Sequence, residues 1–341
     1  MAINLAMWRR ASWSLVRMDD KKEWDRLDVV SKWLIATRSG VATVTIYSCV
    51  IGGLFAVQTG RFPWLTWLIV TLGLFLAHGA NNLLNDYTDF SRGIDKDNYY
   101  RIQYGVHPLV QGFWTKPQQM RWFVVSGVLA LLAGFYALLF TGFDPIVIGL
   151  FAYGVVMLLL YTYPLKYIAL GELTIFLIWG PIMIAGVYVV LVREWNWNVV
   201  LAGIPFGLST ASINVGKHID KSAEDRQKGV GTLPVRIGET AARYLNMAAI
   251  IFAYAITLYM IVVPRFLTPI LVIVFVASRE AWTAIKRLSQ PRPAAAPAGY
   301  PVWPLWFSTV SFAHNRKFGN LFVLGVALDT VVRLVFPTFW R

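Results

Sequence analysis

The chain has 341 residues, 57% of them hydrophobic and 14% charged, with a mean hydropathy of +0.55. That composition excludes a soluble domain and fits a polytopic membrane protein. The formal charge of +13 is not a nucleic-acid footprint, because the positive residues sit in particular loops with no nucleic-acid module between them, and the single cysteine, Cys49, excludes an internal disulfide and a multi-cysteine metal site.

Residues 1–40 mix Arg9, Arg10, Arg17, Lys21, Lys22 and Arg26 with Trp8, Trp13, Trp24 and Trp33, which is not the continuous apolar core of a signal peptide. Trp24, Leu27, Val30 and Leu34 recur at helical spacing, so this cytoplasmic tail is expected to form an amphipathic helix on the membrane surface. Nine apolar stretches follow, at about 41–58, 64–84, 121–141, 145–163, 170–192, 197–215, 242–263, 266–283 and 319–337, each long enough or nearly so to cross ~30 Å of hydrocarbon. The expected fold is therefore an all-α polytopic membrane protein: nine transmembrane helices over 41–341, with catalytic loops at 85–120 and 217–241. With the N-terminus in the cytoplasm, the cytoplasmic segments hold 26 of the 31 Lys and Arg, which predicts a cytoplasmic N-terminus and an exterior C-terminus. The Pro- and Ala-rich run 290–297 reads as a flexible linker before the last helix.

Two acid-bearing segments interrupt this pattern on the same, cytoplasmic side. The first runs Asn85-Asp86-Tyr87-Thr88-Asp89-Phe90-Ser91-Arg92-Gly93-Ile94-Asp95, and the second runs from Asn214 to Arg226. Carboxylates near a bilayer are costly and mark ion or substrate sites. On a helix Asn85 and Asp89 share a face with Asp86 nearby, Gly93 permits a turn, and Asp95 can fold back toward them. In the second segment Asp220 and Glu224 share a face and Asp225 lies off it. Mg²⁺ binds through one or two carboxylates plus substrate phosphates, and Lys217, Arg226, Lys228 and Arg92, interleaved with the acids, suit a leaving diphosphate. A site for a cationic ligand would not need those cations, and a transporter would place its acids near the midplane. His218 is a candidate ligand of a diphosphate oxygen or a proton acceptor, with an unperturbed pKa of ~6.5. His107 lies in the loop expected to lid the first motif, and His78 reads as a bundle-core histidine. Glu172 at the cytoplasmic rim is either a partner of Lys166 or a chemical group.

Asn-Asp-x-x-Asp after the second helix, a second acidic segment after the sixth and nine helices over residues 35–340 resemble the UbiA superfamily of intramembrane prenyltransferases. Two stretches are similar to its 1,4-dihydroxy-2-naphthoate polyprenyltransferase branch: Tyr163-Pro164-Leu165-Lys166 through Gly171-Glu172-Leu173 with Gly180-Pro181, and Gly229 through Gly238. The resemblance implies Mg²⁺-dependent transfer of a polyprenyl group from polyprenyl diphosphate to an aromatic acceptor, in menaquinone biosynthesis for that branch. It implies that Asn85, Asp86, Asp89 and Asp95 hold one metal and Asp220 and Asp225 a second, with Lys166 and Tyr163 near the diphosphate or acceptor. It also implies an integral protein of the cytoplasmic membrane whose site faces the cytoplasm. The second motif departs from the branch pattern Asn-Asn-x-x-Asp-x-x-x-Asp-Arg: Lys217-His218 replace the paired Asn, and Lys221 stands where the earlier Asp belongs. Either Glu224 completes a metal shell with Asp220, or the helix end winds differently. Other acceptors (a chlorophyllide-type tetrapyrrole, homogentisate, a glyceryl phosphate lipid) keep the same mechanism, and a subunit of a larger membrane complex keeps the same fold.

Overall fold

The computed structural model describes residues 3–95, 105–336, 338 and 340, and among them only helices and turns occur. Three short helices come first: α1 (Leu5–Trp13), α2 (Lys21–Arg26) and α3 (Val29–Ala36). Asn4, Asp20 and Asp28 start them, each accepting a hydrogen bond from a backbone N–H of the first turn. The bundle follows as α4 (Thr43–Val57), α5 (Trp64–Ser91), α6 (Lys116–Phe140), α7 (Pro145–Leu160), α8 (Gly171–Leu177), α9 (Met183–Val192), α10 (Trp197–Gln227), α11 (Leu233–Ile237), α12 (Glu239–Val262), α13 (Ser278–Leu288) and α14 (Phe307–Val335).

The nine expected apolar stretches all carry helix, but not nine uniform spans. Among the described residues seven segments are long and apolar enough to cross a membrane, with α8 and α9 forming one of them through a wide turn at Ile178–Ile182. The 16-residue α7 is about 24 Å long at 1.5 Å per residue, shorter than the hydrocarbon core. The stretch expected at 266–283 is a tight 3₁₀ helix over Pro269–Ala277 that passes into α13.

Helix α10 lies at the centre, packed against α8, α12 and α14. The main core fills the space between α4, α9, α10 and α14, with Cys49, Ile51, Phe55, Ile184, Phe206, Phe318 and Phe322 at or below 2% exposure. Gly180 departs from helical geometry (φ −103°, ψ −109°), and glycines 180, 203 and 207 let this bend sit directly on α10. A Cβ at Gly207 would lie 2.6 Å from the Phe176 carbonyl oxygen and 2.8 Å from Gly180 Cα.

Two departures from expectation bear on the site. Helices α5 and α10 do not end with their apolar stretches but continue to Ser91 and Gln227, so most of each acidic segment is helix rather than loop. Part of the tail's apolar face packs on protein: Trp24, Leu27 and Leu34 are buried, while Val30 of the same set is exposed. Trp24 is 1% exposed, stacked on Phe113 at 5.2 Å and edge-on to Trp114 at 5.5 Å. Residues 96–104 of the loop expected at 85–120 lie outside the described residues.

Candidate active site

The last turns of α5 present Asn85, Asp86 and Asp89, with both aspartates buried. Beyond Ser91 the chain reverses at Gly93 (φ +73°), a left-handed position that favours glycine, and the Ile94 N–H closes the turn on the Asp89 carbonyl at 2.8 Å. The reversal returns Asp95 to the cluster, as its spacing suggests. Asp95 Oδ2 lies 2.9 Å from Nε2 of buried His107, and one ligand atom from each of Asp86, Asp95 and His107 falls within 4.8 Å of the others. Asp86 also accepts a hydrogen bond from Arg38 at 2.9 Å, and Arg38 reaches Asn82 at 3.1 Å. Arg38 and Asn82 are absent from the set inferred from the chain alone. The only sequence signal for Arg38 is a lone cation at the mouth of the first apolar stretch.

Asp89 has a different partner. Its Oδ2 is 2.6 Å from Lys166 Nζ, while its Oδ1 is buried with no hydrogen-bond partner. Lys166 projects from a short 3₁₀ turn between α7 and α8. Burial disfavours its charge, but the Asp89 carboxylate outweighs that cost, with help from Asp225, and holds the ammonium above the usual lysine range. Asn85 Nδ2 donates to Thr162 Oγ1 at 3.2 Å. The Arg92 guanidinium lies 3.7 Å over the half-exposed Tyr163 ring and 5.2 Å from Tyr167.

The end of α10 meets this cluster through Lys228, whose Nζ donates to the Ile94 carbonyl at 2.7 Å and to Glu224 Oε1 at 2.9 Å. Asp225 is buried beside Lys221 (3.5 Å) and Thr232 (3.4 Å). His218 Nδ1 is 2.6 Å from Glu172 Oε1, which also accepts the Leu233 N–H at 3.1 Å. An ionised Glu172 can only accept, so Nδ1 carries the hydrogen and Nε2 is left as an acceptor. Glu172 Oε2 is buried without a partner. Of the two roles open to Glu172, partner of Lys166 or chemical group, the geometry gives it a third, as the partner of His218. Lys217 is half-buried on α10, and Arg226 is exposed.

Asp220 is engaged elsewhere. Its carboxylate accepts the N–H groups of Trp306, Phe307 and Ser308, each at 3.0 Å, and the Ser308 hydroxyl at 2.7 Å. It thus serves the N-terminus of α14, where unpaired N–H groups and the helix dipole favour an anion.

A largely apolar cavity of about 460 Å³ opens between α5, α6, α7 and the α8–α9 span. Asn81, one turn before Asn85, lines it with Tyr161 and Thr174, and Leu131, Val147 and Phe151 line its apolar part.

The UbiA prenyltransferase family model matches residues 46–310. This chain belongs to that family. The UbiA prenyltransferase domain-containing protein 1 homolog of Drosophila melanogaster is 28% identical over 226 residues, 65% of this chain. That match spans under two thirds of the fly protein, 62%. The 1,4-dihydroxy-2-naphthoate octaprenyltransferase of Bacillus subtilis is 25% identical over 302 residues, 86% of this chain and 91% of that protein. Among solved structures, a UbiA homologue from Archaeoglobus fulgidus bound to GPP and Mg²⁺ superposes with a TM-score of 0.56 at 14% identity, covering 87% of this chain and 99% of that one. At that identity the likeness shows a shared UbiA fold.

Proposed function

We propose that this protein transfers a polyprenyl group from a polyprenyl diphosphate to an aromatic acceptor, with 1,4-dihydroxy-2-naphthoate as the acceptor and menaquinone precursors as the product class. The observation that carries this reading is a buried acid cluster at the end of α5 together with a largely apolar cavity that Asn81, one turn before Asn85, helps to line. The cluster suits a metal-bound diphosphate and the cavity an isoprenoid chain.

The residues fit Mg²⁺. Asp86 and Asp95 converge, Asp89 Oδ1 is a buried oxygen lacking a partner, and the donors are hard carboxylates. Asp86, Asp89 and Asp95 would hold Mg²⁺ with Asn85 beside them, and Asp225 with Glu224 is the candidate second set; bound there, Mg²⁺ would supply positive charge to neutralise a leaving diphosphate. Lys166, Arg38, Arg92 and Lys228 add fixed positive charge around the same point, so negative charge on the leaving group is met without reorganisation. Tyr161 and Trp179 line the cavity, and their rings suit a cation-like allylic carbon. His218, with Nδ1 held by Glu172, presents Nε2 to take a proton from the acceptor hydroxyl.

The Lys and Arg bias supports a site facing the cytoplasm, in the cytoplasmic membrane, with the N-terminus inside and the C-terminus outside. Association with other membrane proteins is compatible with this arrangement.

Purified protein given Mg²⁺, a long-chain polyprenyl diphosphate and dihydroxynaphthoate should release diphosphate and form a prenylated product. Asp89→Asn should lower turnover by about 10²-fold or more while the protein stays folded in detergent. Turnover with a different aromatic alone would replace the acceptor and keep the reaction class. Near-normal turnover of the Asp89→Asn protein would refute the metal assignment.

A further inference from the structure

We propose that the N-terminal segment is a working part of the site: acting through Gln111, it positions His107 against Asp95. This rests on the prenyl-transfer reading for its consequence, though not for its geometry.

The link is a continuous chain of hydrogen bonds. Gln111 Nε2 donates to the Met18 carbonyl at 2.7 Å and to Asp19 Oδ1 at 3.1 Å. Gln111 Oε1 accepts the His107 backbone N–H at 2.8 Å. His107 Nε2 then meets Asp95 Oδ2 at 2.9 Å. The orientation of the Gln111 amide is fixed by its surroundings, since a flipped amide would set its oxygen against two acceptors and its NH₂ against a donor. A second tie runs alongside, from the Val106 N–H to the Val16 carbonyl at 3.2 Å. Gly105 (φ +99°) lets the chains approach there, because a Cβ at that position would lie 3.2 Å from the Val16 carbonyl oxygen.

The segment is tied together and to the bundle at several points. Asp28 gathers α1 and α3 by accepting from Trp8 Nε1 (2.9 Å), the Ser31 N–H (3.0 Å) and the Ser31 hydroxyl (2.6 Å). Burial disfavours this carboxylate's charge, yet the donors around it hold its pKa well below the usual carboxylate range. Trp33 Nε1 ties α3 to Ser126 of α6 at 2.8 Å, and Trp24 fills the aromatic slot formed by Phe113 and Trp114. The tail's side of these ties lies before residue 46, where the family match begins. The chain thus adds its own support behind a histidine that touches the acid cluster. Partners of that kind commonly change metal affinity by about 10–100-fold.

Gln111→Glu isolates the link. The new carboxylate still accepts the His107 N–H but faces Met18 and Asp19 with oxygen only, so the tail side alone is cut. In the full-length protein in detergent, amide exchange across 105–113 should rise. Calorimetric binding of geranyl diphosphate in Mg²⁺ should weaken by about tenfold, with the melting temperature unchanged. Adding Asp19→Asn, which supplies an amide donor opposite the new carboxylate, should recover part of both effects. Unchanged exchange at 105–113 overturns the proposal, and so does raised exchange with unchanged binding. If the unaltered protein fails to bind geranyl diphosphate with Mg²⁺, the prenyl-transfer reading fails instead, and the exchange measurement alone decides whether the tail positions His107.

Discussion

Asp220 and Asp225 lie five residues apart on one helix and have separate jobs. Asp225 faces the acid cluster, while Asp220 caps α14 with four donors at its carboxylate. Asp220→Ala should therefore lower stability by about 1–2 kcal/mol, the usual scale for a lost helix cap, and leave the Mg²⁺ concentration for half-maximal activity unchanged. Thermal melts and Mg²⁺ titrations of the variant separate this from a metal-ligand role, in which the Mg²⁺ requirement would shift. At this scale the first motif was readable because its residues are local: Asn85, Asp86 and Asp89 share one helix end, and Gly93 announces the return of Asp95. The second was only partly readable. The partners of Asp220 lie at the start of a helix 86 residues further along, and no spacing within 214–226 carries that information. Arg38 was missed for the same reason, since a single cation has no pattern until the fold sets it against Asp86.

The helices themselves were legible as apolar runs, and their ends less so. Hydropathy falls at residue 84 and again at 215, yet α5 and α10 continue through polar turns to Ser91 and Gln227. Asp86, Asp89, His218, Asp220 and Asp225 there are buried in the protein, which hydropathy scores as if they met lipid. The bend at Gly180 was likewise invisible, because its cause is contact with α10. A methyl group at Gly207 meets backbone atoms of the bend rather than a yielding side chain. Gly207→Ala should therefore destabilise the bundle by about 1–3 kcal/mol, seen as a lower melting temperature in detergent. The same change at Gly149, with open space around its Cβ position, should have no such effect. Equal melting temperatures for the two variants would contradict the close crossing. Membrane helices commonly use small residues for such approach, since lipid supplies no hydrophobic drive between them.

For the whole molecule, the membrane class and UbiA fold were accessible from composition and two motifs, whereas the placement of the tail was not. Its tryptophan periodicity describes an amphipathic helix equally well whether the apolar face meets lipid or protein. Orientation across the bilayer rests on the positive residues, and Cys49 makes it measurable, because this sole cysteine is fully buried in the core. Thr59→Cys, an exposed position expected outside, should react with a membrane-impermeant maleimide on intact cells. Ala223→Cys, exposed at the end of α10, should react only after the membrane is opened. The opposite pattern would reverse the topology and place the acid cluster on the exterior face.

The aromatic slot around Trp24 also imposes an order on biosynthesis. Phe113 and Trp114 are made about 90 residues after Trp24, so at about 5–20 residues per second Trp24 waits several seconds for its partners. During that wait the membrane interface is the apolar surface within reach of the nascent tail. The docking of Trp24 and Trp33 must therefore await the loop and α6. Completion of the candidate site comes later still, since Lys166 and Lys228, which meet Asp89 and the Ile94 carbonyl, follow the tail's docking partners in the chain.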